Sequence, residues 1–396
     1  GGRDFTGEQI TLAELLREQG YRSTLCGKWH VGTDLPPAAC GFEGVFYPRY
    51  GYPAEHPHYL GYLEKLGCRF ALSGQVFARH RDGSQGALLA ATQEGPVEAG
   101  VPYYLAEQAI AAMRASAGRG EPFLARVDFW GPHVPHIIPE PYASMYCADD
   151  MPEWPNFRDG LEGKPSIQQT MKDYWGVQDL TWADWSHLVA MCYGYVSLID
   201  DQVGRLLAAL DDLGVADETA VFYTSDHGGM VGAHGLCDKG AHLYDEQCCV
   251  PLIARVPGAA GGRRSDAFVY NMDLMPTVLE LAGAPVPDDL DAASLAPLIR
   301  GEADAVRPPV AYVEFHGHQC PYTQRMVQTP DFKYVFNAPE SDELYHLKND
   351  PGELTNLAGD PAHAAALREM QERLAEFIVE TGDPIERFYQ RTRLAS

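Results

Sequence analysis

The sequence is poor in basic residues. Only 30 lysines and arginines stand against 55 aspartates and glutamates, which gives a net charge of −25. A surface this acidic repels nucleic acid and anionic membrane surfaces, so neither is expected as a partner. An anionic substrate would therefore need a local cluster of lysine, arginine, histidine or metal that overcomes the overall negative field.

Long apolar runs and cysteine motifs are also missing. No apolar stretch approaches the length of a membrane span, and Gly1 to Glu8 is polar and unlike a signal peptide. The nine cysteines are scattered, odd in number and without C-x-x-C spacing, so neither a zinc site nor a disulfide framework is recognisable. Free thiols in a reducing compartment are the simplest interpretation, which favours the cytoplasm. No pattern indicates the oligomeric state.

One stretch concentrates the residues that could carry chemistry. Thr219 to Thr224 is rich in β-branched and aromatic residues, which predicts a short buried strand. Asp226 and His227 follow at once, and ligands bind at the carboxyl ends of strands in open α/β sheets. An Asp-His pair alone is more typical of a turn. With His234 and Lys239 close behind, however, the order fits a metal-assisted anion site.

A lysine and a histidine follow another predicted strand, Tyr21 to Cys26. Lys28 and His30 lie at its carboxyl end, where they are candidates for an anion clamp. The competing interpretation is a solvated lysine beside a structural histidine.

Two histidines follow the predicted strand Glu121 to Phe129 in the same way. The prolines around His133 and His136 stiffen the loop and fix the directions of both imidazoles. Here the competing interpretation is a packed Trp-Pro cluster with solvent-exposed histidines.

The remaining patterns predict an α/β domain followed by a small α+β domain, with the boundary between residues 303 and 304. Helical periodicity predicts helices over Tyr103 to Ala115 and Trp182 to Leu213, whereas 33–100 and 139–180 are mostly loop, with one hairpin near 70–79. The predicted elements further along are a strand at 250–256, helices at 273–281 and 294–300, strands at 310–315, 325–328, 333–337 and 343–347, and a helix at 361–379.

Two further histidines, His316 and His318, follow the first strand of the second domain. They could face the cleft between the domains and contact a substrate. A structural role for both is the competing interpretation.

Three segments together resemble the sulfatases, a family within the alkaline-phosphatase-like superfamily. The resemblance covers nearly the whole chain. It is carried by Ser225-Asp-His-Gly228, His234-Gly235, Lys239, Tyr244 and Glu246, by the segment Thr11 to Gly32, and by the segment Asp342 to Leu357.

The resemblance implies an alkaline-phosphatase-like α/β fold, in which helices flank a central, mostly parallel sheet. It implies that Asp226 and His227 bind a divalent cation, Ca²⁺ with Mg²⁺ or Mn²⁺ as alternatives. It also implies that Lys28 and His30 contact the sulfate group and the catalytic side chain. His133 would contact the substrate sulfate, with His136 a weaker candidate.

The implied activity is hydrolysis of a small-molecule or carbohydrate sulfate ester. Lys28 and Lys239 would offset charge on the sulfate oxygens, and His234 or His133 would protonate the leaving alcohol. Two alternatives stay open. One is a phosphonate or phosphate ester hydrolase of the same superfamily, and the other is a non-catalytic protein that binds a sulfated or phosphorylated ligand.

The family's nucleophile motif does not occur in the sequence. Sulfatases use Cys-x-Pro-x-Arg, or Ser in place of Cys, which is converted to formylglycine, and no cysteine or serine here has that context. Two metal-binding aspartates of the family precede that motif, whereas this sequence opens at the helix that follows it. We therefore expect a truncated form or a member without its nucleophile, with poor metal affinity. An uncovered sheet edge, weak stability and no turnover by this chain alone are further expectations.

Overall fold

The computed structural model describes residues 9–31, 35–48, 54, 56–302 and 307–394. Gly1 to Glu8, the segment without a predicted signal peptide, lies outside these ranges, as does the predicted domain boundary. The strands are β1 Arg22–Trp29, β2 Glu43–Pro48, β3 Leu72–Arg79, β4 Gln85–Gln93, β5 Phe123–Asp128, β6 His136–Pro139, β7 Val221–Thr224, β8 Leu252–Arg255, β9 Ala311–Phe315, β10 Thr323–Gln328, β11 Phe332–Ala338 and β12 Glu343–His346. The α-helices are α1 Leu12–Glu18, α2 Pro57–Lys65, α3 Val101–Ala117, α4 Ser166–Trp175, α5 Trp182–Asp212, α6 Asp245–Cys248, α7 Leu274–Leu281, α8 Ala296–Arg300, α9 Ala364–Glu380 and α10 Glu386–Tyr389.

A parallel sheet, in the order β2-β1-β5, forms the centre of the first part of the chain. Helices α1 and α3 pack on this sheet, as expected for parallel strands joined by helical crossovers. Gly27 in β1 has φ +132°, and a Cβ there would lie 1.9 Å from the Asp128 carbonyl oxygen. Only glycine lets the two strands approach so closely just before their carboxyl ends.

Helix α5 supplies much of the apolar core. It covers 31 residues and agrees with the predicted helix within one residue. The buried side chains of Trp185, Leu188, Tyr195 and Leu198 lie on one face, at helical spacing, and pack in a single cluster. Gly194 permits close packing, because a Cβ there would lie 2.1 Å from the Tyr142 carbonyl oxygen.

Strands β7 and β8 pair with each other, antiparallel, and with no other described strand. The prediction that Thr219 to Thr224 is buried is wrong, since no residue of β7 is fully buried and Tyr223 is 38% exposed. The physical reason is that β5 and β7 are both edge strands in the described part of the chain. Strand β8 likewise has a single described partner, β7, and its Ile253 is 65% exposed.

The two regions predicted as loop contain regular elements. Residues 33–100 include α2 and a long β3–β4 hairpin, whose second strand also pairs with β6 in parallel. Residues 139–180 include α4, which buries Gln168 and Met171. Helix α4 was missed because it is only ten residues long and the proline and tryptophan around it are typical of a loop.

A four-stranded antiparallel sheet, in the order β12-β11-β10-β9, forms the C-terminal part. Helix α9 covers one face of it, where Tyr334, Phe336, Leu374 and Ile378 form a core. The predicted fold class, an α/β part with a parallel sheet followed by a small antiparallel α+β part, is thereby confirmed.

A buried lysine joins the two parts. The Lys333 ammonium on β11, with no exposed side-chain surface, lies 2.6 Å from an Asp245 carboxylate oxygen and 2.7 Å from one of Glu353. Asp245 also donates its backbone N–H to Glu353.

All nine cysteines carry free thiols. In the described ranges, no helix combines the length and the apolar character that crossing a bilayer requires.

Candidate active site

Asp226 and His227 emerge directly from the carboxyl end of β7 on a tightly held loop. The Ser225 hydroxyl donates to the His227 carbonyl at 2.8 Å, and the Gly228 N–H donates to the Gln247 carbonyl at 2.8 Å. A Cβ on Gly228 would lie 1.9 Å from the Glu246 carbonyl oxygen, so this close approach requires glycine.

The two side chains point the same way. His227 Nδ1 lies 2.7 Å from the Gly228 carbonyl oxygen, which can only accept, so Nδ1 is the donor in this contact. Nε2 lies 3.4 Å from Asp226 Oδ2, and the Asp226 side chain is 74% exposed. A carbonyl behind the imidazole is the usual partner of a metal-binding histidine.

This pair fits one part of a divalent-cation site. Within the described ranges, no group of three or more His, Cys, Asp or Glu side chains converges on one point. Ca²⁺ takes six to eight oxygen ligands, and Mg²⁺ requires octahedral coordination. Asp226 and His227 therefore supply two donors with suitable geometry, and further oxygen ligands would have to come from elsewhere.

Lys28 and His30 lie at the carboxyl end of β1, and the charge of Lys239 acts on both. Burial lowers the pKa of Lys28, and the charge of Lys239 lowers it further. Burial also lowers the pKa of His30, with Lys28 and Lys239 acting in the same direction. The Lys28 ammonium lies 4.3 Å from the ring centroid of the buried Trp130, which fixes it by a cation–π contact.

His133 is held on the loop between β5 and β6. Its Nδ1 donates to the Val134 carbonyl at 2.6 Å, and its Nε2 accepts from the Lys239 ammonium at 2.8 Å. Burial lowers the pKa of His133 to about 4, so the imidazole is neutral near pH 7. The His133 ring lies 6.0 Å from the His227 ring, which places the two loops side by side.

Two acidic residues at the site were not predicted. Asp238 is 8% exposed and lies 3.5 Å from His133 Nε2 and 3.6 Å from Lys239 Nζ. Asp128 ends β5, and its pKa is raised mainly by burial, with a further contribution from Asp226. Asp128 could have been found as an acid at a strand's carboxyl end, and Asp238 as the residue before Lys239.

The structure keeps His234 apart from these groups. Its side chain is fully buried, with Nδ1 2.6 Å from an Asp159 carboxylate oxygen and Nε2 3.0 Å from the Asn156 amide nitrogen. The ring stacks on Tyr244 at 3.8 Å. Asp159 in turn pairs with the buried Lys164 ammonium at 2.5 Å. These contacts describe a histidine that ties a loop to the core.

His136 lies behind the site. It begins β6, is 4% exposed and hydrogen-bonds to the Pro132 carbonyl, while in the described part of the chain its Nδ1 has no partner. Burial lowers the pKa of His136 to about 4. The neutral ring therefore packs beneath the loop that carries His133 and does not present itself to solvent.

The two histidines of the C-terminal part differ. Burial lowers the pKa of His318, and the charge of Lys239 lowers it further, so His318 faces the site. His316 is 64% exposed and pairs with Glu314 at 2.9 Å. His316 also lies near enough to Asp383, the partner of Arg325, to act on it electrostatically.

The chain is similar to known proteins in both sequence and structure. The Sulfatase family model matches residues 4–284, and the model of the C-terminal region of N-sulphoglucosamine sulphohydrolase matches residues 232–380. An uncharacterised sulfatase of Escherichia coli is 32% identical over 96% of this chain and 73% of its own length.

Two further similarities concern proteins of stated activity. An N-acetylglucosamine-6-O-sulfatase of Bacteroides thetaiotaomicron is 27% identical over 94% of this chain and 73% of its own length. The phosphonate monoester hydrolase of Silicibacter pomeroyi superposes with a TM-score of 0.79 and 25% identity, covering 96% of this chain and 81% of its own. The fold is accordingly alkaline-phosphatase-like, and the chain belongs to the sulfatase family.

Proposed function

We propose that this chain carries the sulfate-binding half of a metal-dependent sulfuric ester hydrolase. The observation that supports it is a local cluster of cationic and imidazole groups in a protein of net charge −25. Burial and the charge of Lys239 lower the pKa values of both Lys28 and His30, and Lys239 contacts His133 at 2.8 Å. The Asp226 and Asp238 carboxylates offset part of the repulsion among these groups, and a bound anion would offset it further.

The lysines would act on the charge of the reacting group. As the S–O bond to the alcohol breaks, negative charge grows on the leaving oxygen while the sulfuryl oxygens keep theirs. Ammonium groups that are already fixed stabilise that charge without reorganising. Lys28 is fixed by Trp130 and Lys239 by its contacts to His133 and Asp238.

The leaving alcohol needs a proton. Of the two histidines predicted for this step, His133 shares a hydrogen bond with the Lys239 ammonium, whereas His234 is buried in the Asp159 network. We assign the proton to the Lys239–His133 pair. Burial and the charge of Lys239 lower the pKa values of His30 and His318, and both histidines are assigned to substrate contacts.

A divalent cation, Ca²⁺ with Mg²⁺ or Mn²⁺ as alternatives, fits this proposal. Asp226 Oδ2 and His227 Nε2 would hold it together with oxygen ligands from outside the described residues. When bound, such an ion polarises the sulfuryl group and activates the nucleophile.

The nucleophile is proposed to come from polypeptide outside this sequence. No cysteine or serine among the 396 residues lies in a Cys/Ser-x-Pro-x-Arg motif, from which formylglycine would form. We therefore expect the 396-residue chain alone to bind sulfate esters without turning them over.

A phosphonate monoester hydrolase is the second candidate. The superposition on the enzyme of Silicibacter pomeroyi, at TM-score 0.79, favours it. The substrate class proposed first, a carbohydrate or small-molecule sulfate ester, is favoured by the similarity to the N-acetylglucosamine-6-O-sulfatase.

The test begins with sequencing the gene upstream of the Gly1 codon. The encoded protein is then assayed with 4-nitrophenyl sulfate and 4-nitrophenyl phenylphosphonate. We expect a Cys-x-Pro-x-Arg or Ser-x-Pro-x-Arg motif, a higher kcat/KM for the sulfate, and a loss of about 100-fold in Lys239→Met. The control, Lys348→Met, removes a lysine that is 66% exposed and should leave kcat/KM unchanged.

Each of the other outcomes identifies an alternative. A faster phosphonate reaction would favour the second candidate. A natural gene without the nucleophile motif would contradict hydrolysis and favour a non-catalytic binding protein.

A further inference from the structure

Asp238 places a nearly buried negative charge beneath the proposed anion site. The residue adopts φ +54° and is 8% exposed, so its carboxylate is held by the backbone and shielded from water. One carboxylate oxygen lies 3.5 Å from His133 Nε2 and 3.6 Å from Lys239 Nζ. The same charge also acts on Lys28.

A carboxylate at this position sets how much negative charge the site accepts. Two ammonium groups alone would favour a dianion over a monoanion of the same shape. Because Asp238 lies within 4 Å of Lys239 and is shielded from solvent, it cancels part of that attraction. The repulsion between Asp238 and the ligand grows with the negative charge of the ligand, so a dianion loses more binding free energy than a monoanion.

We propose that Asp238 makes the site selective for singly charged tetrahedral groups, namely sulfate monoesters or phosphonate monoesters, against doubly charged phosphate monoesters. The inference rests on the proposed function, because it concerns the same anion site. Asp238 acts through Lys239 and His133, so it is a positioning and specificity-determining residue that does not itself touch the substrate.

Phenyl sulfate and phenyl phosphate are the probes, since they have the same shape and differ in charge. At pH 8 the sulfate carries one negative charge, whereas phosphate monoesters, with a second pKa near 6, carry two. Dissociation constants are measured by calorimetry on the 396-residue chain, which avoids any dependence on turnover.

The variant Asp238→Asn removes the charge and keeps the backbone. Asparagine and aspartate are both tolerated at positive φ, so the loop conformation is retained. The matched control is Asp173→Asn, which removes one charge from an exposed ion pair with Arg81.

The wild-type chain and the control are expected to bind phenyl sulfate more tightly than phenyl phosphate. In Asp238→Asn both affinities rise, and the preference for the sulfate falls by roughly tenfold, because the dianion gains twice the electrostatic energy. A purely structural role for Asp238 would weaken both ligands and leave their ratio unchanged.

The failures are distinguishable. If the wild-type chain binds phenyl sulfate but Asp238→Asn keeps the wild-type ratio, the inference is overturned and the proposed anion site stands. If the wild-type chain binds neither probe, the anion site itself is contradicted and the inference is overturned with it.

Discussion

Replacing Asp159 by asparagine probes the network that fixes His234. The Asp159 carboxylate accepts from His234 at 2.6 Å and from the fully buried Lys164 at 2.5 Å, and its own side chain is 7% exposed. Both donors bind Oδ2 of Asp159, and the Leu161 N–H donates to Oδ1. Asparagine has nearly the same shape but offers one acceptor oxygen and no charge, so its NH₂ group would face either these two donors or the Leu161 N–H. Asp159→Asn should therefore destabilise the protein without creating a cavity.

The size of the effect follows from the carboxylate's pKa. Burial by itself would raise the pKa of Asp159, but hydrogen bonds from His234 and Lys164 lower it to about 2. Against an unfolded value of about 3.9, this corresponds to roughly 2–3 kcal/mol of stability at neutral pH. The loss on breaking a buried ion pair, about 3–5 kcal/mol, has the same order.

The pH dependence has a definite sign. Because the folded pKa of Asp159 lies below the unfolded pKa, the stability it contributes is complete above about pH 4 and is lost as the pH falls toward 2. The stability difference between wild type and Asp159→Asn should thus shrink to roughly half by pH 3.

Equilibrium urea unfolding, monitored by tryptophan fluorescence at pH 7 and pH 3, measures the stability difference between wild type and Asp159→Asn and its dependence on pH. Glu369→Gln is the control, because its ion pair with Arg373 is exposed on α9 and contributes less than about 1 kcal/mol. A difference below about 1 kcal/mol for Asp159→Asn at pH 7, or one that stays constant to pH 3, would refute the electrostatic account.

Three further perturbations follow from particular contacts. Gly131→Ala would place a Cβ 2.2 Å from the buried Tyr195 ring, so calorimetry should show a loss of about 2 kcal/mol or more. Lys333→Met leaves the buried Glu353 carboxylate without its cation and should cost about 3–5 kcal/mol in urea unfolding. Millimolar CaCl₂ should not raise the melting temperature of the 396-residue chain, with or without Asp226→Ala, because Asp226 and His227 are the two donors that the described residues supply.

Each of these perturbations has a control or a contradicting result. Gly204→Ala, on α5, meets no atom within 4 Å and should slightly stabilise the helix. Lys348→Met removes an exposed pair with Asp331 and should change stability by less than about 1 kcal/mol. Variants at Gly131 or Lys333 as stable as these controls would contradict the packing and ion-pair arguments. A calcium-induced shift that is lost in Asp226→Ala would show that two donors suffice.

Periodicity and local signals predicted much of the fold. Helix α5 agreed within one residue because its apolar stripe runs for many turns, and the four C-terminal strands were predicted close to their observed positions. Helix α4 and strand β4 were missed, because their burial depends on neighbours distant in sequence. The exposure of β7 depends on which strand pairs with it, and no local pattern of Thr219 to Thr224 carries that information.

The candidate site shows the same division. Lys28 and Asp226 were predicted as site residues because each follows or ends a predicted strand. Ligands bind at the carboxyl ends of strands in α/β sheets, whatever the order of the strands. His234 and His133 looked alike in sequence, and only the Asp159 contact, 75 residues away, shows that His234 is tied into the core. Asp238 could not be predicted as a site residue, because its contact with His133 joins two loops that are distant in sequence.

The central claim is that Lys28 and Lys239 jointly bind a sulfuryl group. A crystal of the 396-residue chain soaked with 4-bromophenyl sulfate tests it most directly, because the bromine's anomalous signal locates and orients the ligand. The account predicts sulfuryl oxygens within about 3.2 Å of both ammonium nitrogens, with the bromine directed to solvent. Ligand bound elsewhere, or no ligand between the two lysines at a saturating concentration of 4-bromophenyl sulfate, would contradict it.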